Sequence, residues 1–207
     1  ANNFIQCNGE KGISCTESRN INYYYNTVKV TGFKSASSAF YLSDNSTTGT
    51  VNIVLTNNIL VNEAIGYVYQ IYCNPTAYTF TTNNVYSNGL ILARTNHNTI
   101  TDYYSTFDEW TSTGKDAGSC SVLPYFYSNE DLHCFHTALN GAATPIATHT
   151  TDIDGETRSE TTPDIGADEF ANDLLDAALF WNFPVGAMCS AGNTITVELK
   201  NTNGTSI

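Results

Sequence analysis

An all-β protein built around a parallel β-helix, or solenoid, is the fold that this sequence predicts. The 207 residues include 24 Asn and 29 Thr but only 8 Lys and Arg, and helix-rich cores are rarely built from such a composition. Asn tolerates turns and can stack in ladders at repeated corners, whereas Thr, Val, Ile and Tyr prefer extended strands. Extended segments of similar character recur at residues 21–33, 51–62 and 78–93.

Each recurring segment places an Asn-Thr or Asn-Asn pair before a β-branched residue. Asn26, Asn58 and Asn84 are 32 and 26 residues apart, a spacing that fits successive turns of one coil with loops of variable length. Because a solenoid turn buries its apolar side chains on those of its neighbours, we expect an inward stack of Val28, Val30, Ile53, Leu55, Ile59, Val61, Val85 and Leu90. The alternative is an antiparallel sandwich, in which turn signals would recur about every 8 to 12 residues. The longer repeat favours the solenoid.

The segment Thr151–Phe170 concentrates seven acidic residues around a single arginine, Arg158. Such carboxylates repel one another unless turns separate them or a cation compensates them, and a guanidinium pairs well with carboxylates. We expect a structural cap formed by Arg158, Asp152, Asp154, Gly155, Asp164 and Gly166. Calcium held by Asp152, Asp154 and Asp164 is the alternative, although the glycine spacing is not that of an EF-hand loop. No other cofactor is expected.

These residues also carry a family resemblance. The pattern D-x-D-G-x-x-R followed by P-D-I-G-A-x-E, at residues 152–169, resembles the closing segment of right-handed parallel β-helix proteins that bacteria, notably the Bacteroidota, secrete. Residues 108–133 resemble the family's tryptophan-containing helix, its G-x-D-x-x-S turn and its D-L-H element, with Leu123 in place of the usual aspartate before Pro124. The resemblance implies a right-handed coil, a short helix near Phe107–Thr111 and an extracellular or cell-surface location.

The chain changes character after Phe170. We predict a β-helix domain at residues 1–170, a linker at 171–176 and a further unit at 177–207. The last unit contains two strand-like runs and resembles the opening strands of an Ig-like module of cell-adhesion proteins. Because two strands are marginally stable alone, they are either a partial Ig-like domain or strands exchanged with another chain, with assembly through Ile195, Val197 and Leu199.

The net charge limits the classes of binding partner, and the cysteine spacing indicates how the cysteines are used. A net charge of -12 argues against nucleic acid, and the sequence contains no apolar run of the roughly 18 residues that a membrane span needs. The six cysteines lack C-x-x-C spacing, so disulfides are favoured over a zinc or redox motif. Cys7 with Cys15 and Cys120 with Cys134 are the candidate pairs, and free buried thiols are the alternative.

The predicted function is a noncatalytic extracellular surface, adhesion or structural module of a large secreted bacterial protein. The tyrosine candidates for binding a polysaccharide or cell-surface glycan are Tyr23, Tyr24, Tyr25, Tyr67, Tyr69, Tyr72, Tyr103 and Tyr104. A polysaccharide lyase or glycosidase is one alternative, but Lys29, Lys34 and Arg94 form no recognisable catalytic set. The dispersed histidines form none either, and His133 is interpreted as a buried hydrogen-bonding residue. A filament subunit that assembles through its C-terminal strands is the other alternative.

Overall fold

The computed structural model describes residues 1–44 and 49–170. These residues form an all-β parallel solenoid of about three turns with one short helix, which confirms the predicted fold class. The linker at 171–176 and the Ig-like or exchanged unit at 177–207, including Ile195, Val197 and Leu199, lie outside the described residues. No helix in the described ranges is long and apolar enough to cross a membrane.

Three strands make up each turn of the solenoid. The strands are β1 (Asn3–Asn8), β2 (Lys11–Thr16), β3 (Arg19–Tyr24), β4 (Asn26–Thr31), β5 (Ser38–Ser43), β6 (Val51–Thr56), β7 (Ile59–Asn62), β8 (Tyr67–Tyr72), β9 (Tyr78–Thr81), β10 (Asn84–Ser87), β11 (Ala93–His97) and β12 (Ile100–Tyr104). They form sheet 1 (β1-β4-β7-β10), sheet 2 (β2-β5-β8-β11-β12) and sheet 3 (β3-β6-β9). All pairs between turns are parallel, and β12 folds back antiparallel on β11.

The interior of the coil is apolar, as expected, but its membership differs from the prediction. Val28, Leu60 and Val85 lie opposite one another in sheet 1 and belong to the main core, together with Val30, Ile53 and Leu55. Because successive side chains of a strand point to opposite faces, an inward Leu60 places Ile59 and Val61 outside the coil. The predicted inward position of Leu90 is also wrong, since this residue is 92% exposed.

A second apolar cluster covers the outer face of sheet 1. Ile59 and Val61 pack there with Tyr25 and with Leu139 and Ile165 from the long segment that follows the strands. The apolar runs of sheet 1 are therefore buried on both faces, as is usual for parallel sheets. Double burial explains the error in the predicted core, since an unbroken run such as Ile59–Val61 contains no alternation from which to assign a direction.

A ladder of asparagines, buried except at Asn3, runs along the corner where sheet 3 passes into sheet 1. The side chains of Asn3, Asn26, Asn58 and Asn83 are connected by amide hydrogen bonds of 2.7 to 3.0 Å. The prediction placed Asn84 in this series, but Asn83 occupies the rung because Asn84 lies opposite Ile59. Asn84 instead bonds the backbone of Val122, in the segment that covers sheet 1.

Asp116 ends this ladder. Its carboxylate accepts hydrogen bonds from Asn83 (3.0 Å), Ser119 (2.8 Å) and the indole of Trp110 (2.6 Å). Trp110 is the buried residue of helix α1 (Phe107–Thr111), which begins with a capping box between Thr106 and Glu109. The short helix predicted here is thus confirmed, and its tryptophan packs on Tyr69 and Tyr104 in the main core.

Neither predicted disulfide is present, and the five cysteines of the described ranges are free thiols. Cys7 is on β1 and Cys15 on β2, so the two belong to different sheets, and both pack in the main apolar core. Cys120 bonds Asn84, and Cys134 is buried in the cluster outside sheet 1. These thiols therefore serve as small apolar side chains, the alternative that the sequence left open.

Candidate functional site

The outer face of sheet 2 carries a row of large polar and aromatic side chains. Tyr41, Gln70, Arg94 and Tyr103 lie opposite one another on β5, β8, β11 and β12. Each directly follows or precedes a residue in the core, so alternation directs this row outward. Tyr72, two residues after Gln70 on β8, lies on the same face of the sheet. These five residues are named the tyrosine face.

Contacts within the tyrosine face hold its rings in place. The rings of Tyr41 and Tyr72 have centroids 5.7 Å apart. The guanidinium of Arg94 lies 5.2 Å from the Tyr72 ring and 5.7 Å from the Tyr103 ring, as in a cation–π arrangement. Gln70 and Arg94 both donate to the Tyr72 hydroxyl, at 2.8 and 2.6 Å. The face is therefore preorganised before any ligand binds.

A cleft of about 640 Å³ adjoins the tyrosine face. Tyr41 and Tyr72 form part of its wall, and polar groups line the rest, among them Asn74, Thr76, Asn96 and His97. Asp44 also lines the cleft, and its carboxylate accepts the backbone N–H of Thr50 at 2.9 Å. Aromatic rings beside hydroxyl and amide groups are suited to a ligand that is apolar on one face and hydroxylated at its edge.

The structure separates the tyrosines that the sequence proposed as one group. Tyr72 and Tyr103 reach the tyrosine face, whereas Tyr25 and Tyr69 are buried. The remaining candidates are half-buried or pack locally, with Tyr23 on Phe40, Tyr24 on His149, Tyr104 on Trp110, and Tyr67 at the start of β8. Sequence reasoning missed Tyr41, which the alternation of Ser38–Ser43 could have identified.

The Thr151–Phe170 segment packs around Arg158, which is 3% exposed. Its guanidinium donates to Glu169 (3.2 Å), to the carbonyls of Gly166 (3.0 Å) and Ala167 (2.7 Å), and to Asn2. It also lies 4.1 Å from the centroid of the Tyr25 ring. The ion-pair partner of Arg158 is therefore Glu169, a residue that the predicted cap did not include.

Two of the predicted cap carboxylates bind backbone N–H groups. Asp152 accepts from Asp154, Glu156 and Glu169, and Asp164 accepts from Gly141 and Phe170. The predicted calcium set of Asp152, Asp154 and Asp164 is thus not brought together as a group of ligands among the described residues. Gly155 and Gly166 both have positive φ, and a Cβ on Gly166 would come within 2.6 Å of Ile59, which explains why this closing turn needs glycine.

Asp154 lies in a different group, with His133 and Asp168. The Nε2 atom of His133 is 2.7 Å from Asp154, and its Nδ1 atom contacts Asp131. Partial burial lowers the pKa of His133, but Asp154, Asp131 and Asp168 outweigh it and raise that pKa to about 9. His133 is half-buried, and the rings of Phe4 and Tyr127 pack against its imidazole. It makes hydrogen bonds as predicted, but it is not fully buried.

The stability of the cap is expected to depend on pH through Asp164. Burial raises the pKa of Asp164 to about 6 from an ordinary value of 3.8, although bonds from Gly141 and Phe170 oppose the change. The folded chain therefore binds more protons than the unfolded chain between these values, and this carboxyl lowers stability as pH rises through that range. Urea unfolding midpoints of the parent and an Asp164→Asn variant, compared between about pH 4 and pH 7, should show a smaller decrease with pH in the variant. Equal slopes would contradict the assignment.

Comparisons with protein-family models, with curated proteins and with solved structures found no match to this chain.

Proposed function

We propose that this chain is a noncatalytic extracellular module that binds a glycan through the tyrosine face of a rigid solenoid. The observation that carries the proposal is the alignment of Tyr41, Tyr72 and Tyr103 with Gln70 and Arg94 on one sheet. An aromatic ring covers the C–H face of a pyranose, while side-chain amides and guanidinium groups bind the hydroxyls. The extracellular location is supported by the resemblance of residues 152–169 to secreted β-helix proteins.

The rigidity of the tyrosine face favours a binding function over a catalytic one. A ligand would meet side chains that are already held by one another, which lowers the entropy lost on association. A glycosidase needs two carboxyl groups on either side of the scissile bond. Among the described residues that line the cleft, Asp44 is the one carboxylate, and it is bonded to Thr50. In the closing segment, Asp152 and Asp164 accept from backbone N–H groups and Glu169 bonds Arg158 instead.

A polysaccharide lyase is a second candidate, favoured by one contact. Arg94 donates to the Tyr72 hydroxyl at 2.6 Å, and a lyase needs a basic side chain such as arginine beside its acidic sugar. Unsaturated products released from acidic polysaccharides would establish the lyase and overturn the noncatalytic proposal. Self-assembly through the C-terminal strands stays a prediction, because those residues lie outside the described ranges.

Glycan binding is testable with two substitutions and a matched control. Tyr72→Ala and Tyr103→Ala should each weaken binding to a responsive polysaccharide about tenfold, or about 1.4 kcal/mol, because each removes a stacking surface. Affinity electrophoresis against a panel of neutral and acidic polysaccharides measures the change. Tyr127→Ala is the control, since Tyr127 is 68% exposed and packs against Phe135, away from the tyrosine face. Equal losses in all three variants, or no retardation of the parent by any polysaccharide, would contradict the proposal.

A further inference from the structure

A nitrogen ligand and two carboxylates converge on the surface of the closing segment. One side-chain donor atom each from His133, Asp154 and Asp168 lies within 4.8 Å of the others. The three residues come from two separate parts of the chain, the D-L-H element and the Thr151–Phe170 segment. Ligands about 2.0–2.2 Å from a tetrahedral zinc ion lie about 3.5 Å from each other, so a small movement of these side chains would bring all three onto one ion.

The imidazole is oriented from behind by a fourth residue. Asp131 contacts Nδ1 of His133, so Nε2 is the atom directed toward Asp154 and Asp168. A carboxylate on the far ring nitrogen is the usual support of a metal-bound histidine, since it fixes the tautomer and strengthens the ligand. The rings of Phe4 and Tyr127 contact the imidazole from its sides, which limits its rotation.

Asp168 distinguishes this group from an ordinary surface ion pair. It is half-buried, and its carboxylate receives no hydrogen bond from the residues that the structure describes. The carboxylates of Asp152, Asp154 and Glu156 act on Asp168 and add to the negative charge around it. The neighbouring arginine, Arg158, is already bonded to Glu169 and to carbonyl groups. The carboxylates around Asp168 therefore carry more negative charge than the single imidazole of His133 can neutralise.

We propose that His133, Asp154 and Asp168 form a binding site for a divalent transition cation of the zinc class, with Asp131 as a positioning residue. Imidazole nitrogen suits zinc and its neighbours in the first transition series, whereas calcium takes oxygen ligands. Three protein ligands leave a fourth position for water. The bound cation would join the D-L-H element to the closing segment and so stabilise the cap. This site is independent of the tyrosine face.

Cobalt(II) is the probe that reports the ligands directly. The full chain, freed of metal by a chelator, is titrated with Co²⁺ and then with Zn²⁺ as competitor. We expect weak visible d–d bands of a nitrogen- and oxygen-ligated ion, loss of those bands with Zn²⁺, and a higher melting temperature with either cation. A strong thiolate-to-cobalt charge-transfer band would show binding by the free cysteines and would overturn the assignment. An equal or larger rise in melting temperature with Ca²⁺ would also overturn it.

Variants then locate the site. Asp168→Asn removes a ligand with little change of shape and should weaken Co²⁺ binding at least tenfold, while Asp131→Asn should weaken it about 10- to 100-fold through the orientation of His133. Glu160→Gln is the matched control, because it removes one exposed carboxylate from the same segment without touching the set. It should leave binding unchanged. Binding that survives Asp168→Asn, or that falls as much in Glu160→Gln, would refute the site, and circular dichroism confirms that each variant is folded.

Discussion

Replacing Asn58 with alanine is expected to lower the free energy of unfolding by at least about 3 kcal/mol, because each buried polar group left without a partner costs about 1–3 kcal/mol. Asn58 is fully buried. Its side-chain oxygen accepts from the backbone and the amide of Asn26, and its NH₂ group donates to Asn83 and to the carbonyls of Tyr23 and Thr56. Alanine would remove all of these bonds at the centre of the ladder. Urea unfolding followed by circular dichroism measures the loss.

The control for this substitution is Asn22→Ala. Asn22 is an exposed asparagine on β3, so its replacement should change the free energy of unfolding by less than about 0.5 kcal/mol. If the two variants unfold at similar urea concentrations, the ladder contributes little to stability. In that case apolar stacking alone would hold the turns in register.

Replacing Arg158 with alanine should destabilise the chain by about 3 kcal/mol or more, because the change leaves the partly buried Glu169 without its counter-charge. The same change leaves the carbonyls of Gly166 and Ala167 without donors and removes the contact with the Tyr25 ring. Differential scanning calorimetry measures the effect, and for a domain of this size we expect a shift of several degrees in the melting temperature.

Two comparisons make the Arg158 result specific. Arg19→Ala removes an exposed arginine from β3 and should leave the melting temperature nearly unchanged. A double-mutant cycle with Glu169→Gln should show that the two losses are not additive, since the residues bond each other. A parent-like melting temperature for Arg158→Ala would show that the closing segment does not depend on its guanidinium.

Some features of the closing segment could be predicted from the sequence, and others could not. The sequence located the polar closing segment and the role of Arg158 as the cation within it, but it did not identify Glu169 as the partner of that arginine. The reason is local backbone geometry, because Asp152 and Asp164 lie at turns whose N–H groups their carboxylates accept. Glu169 is therefore the carboxylate that pairs with Arg158. His133 and Asp168 are 35 residues apart, and no sequence pattern indicated that they would lie together.

What the sequence determined by itself is the solenoid, since a repeated strand period and asparagines at each corner require turns that stack on one another. The short helix around Trp110 was also predicted, as an implication of the family resemblance. Only the tertiary structure decided which face of each strand is inside. Sheet 1 is apolar on both faces because residues such as Leu139 and Ile165 cover it, and strand alternation carries no direction when both faces are buried. The tyrosine face has the same origin, because Tyr41, Tyr72 and Tyr103 become neighbours through stacking of separate turns.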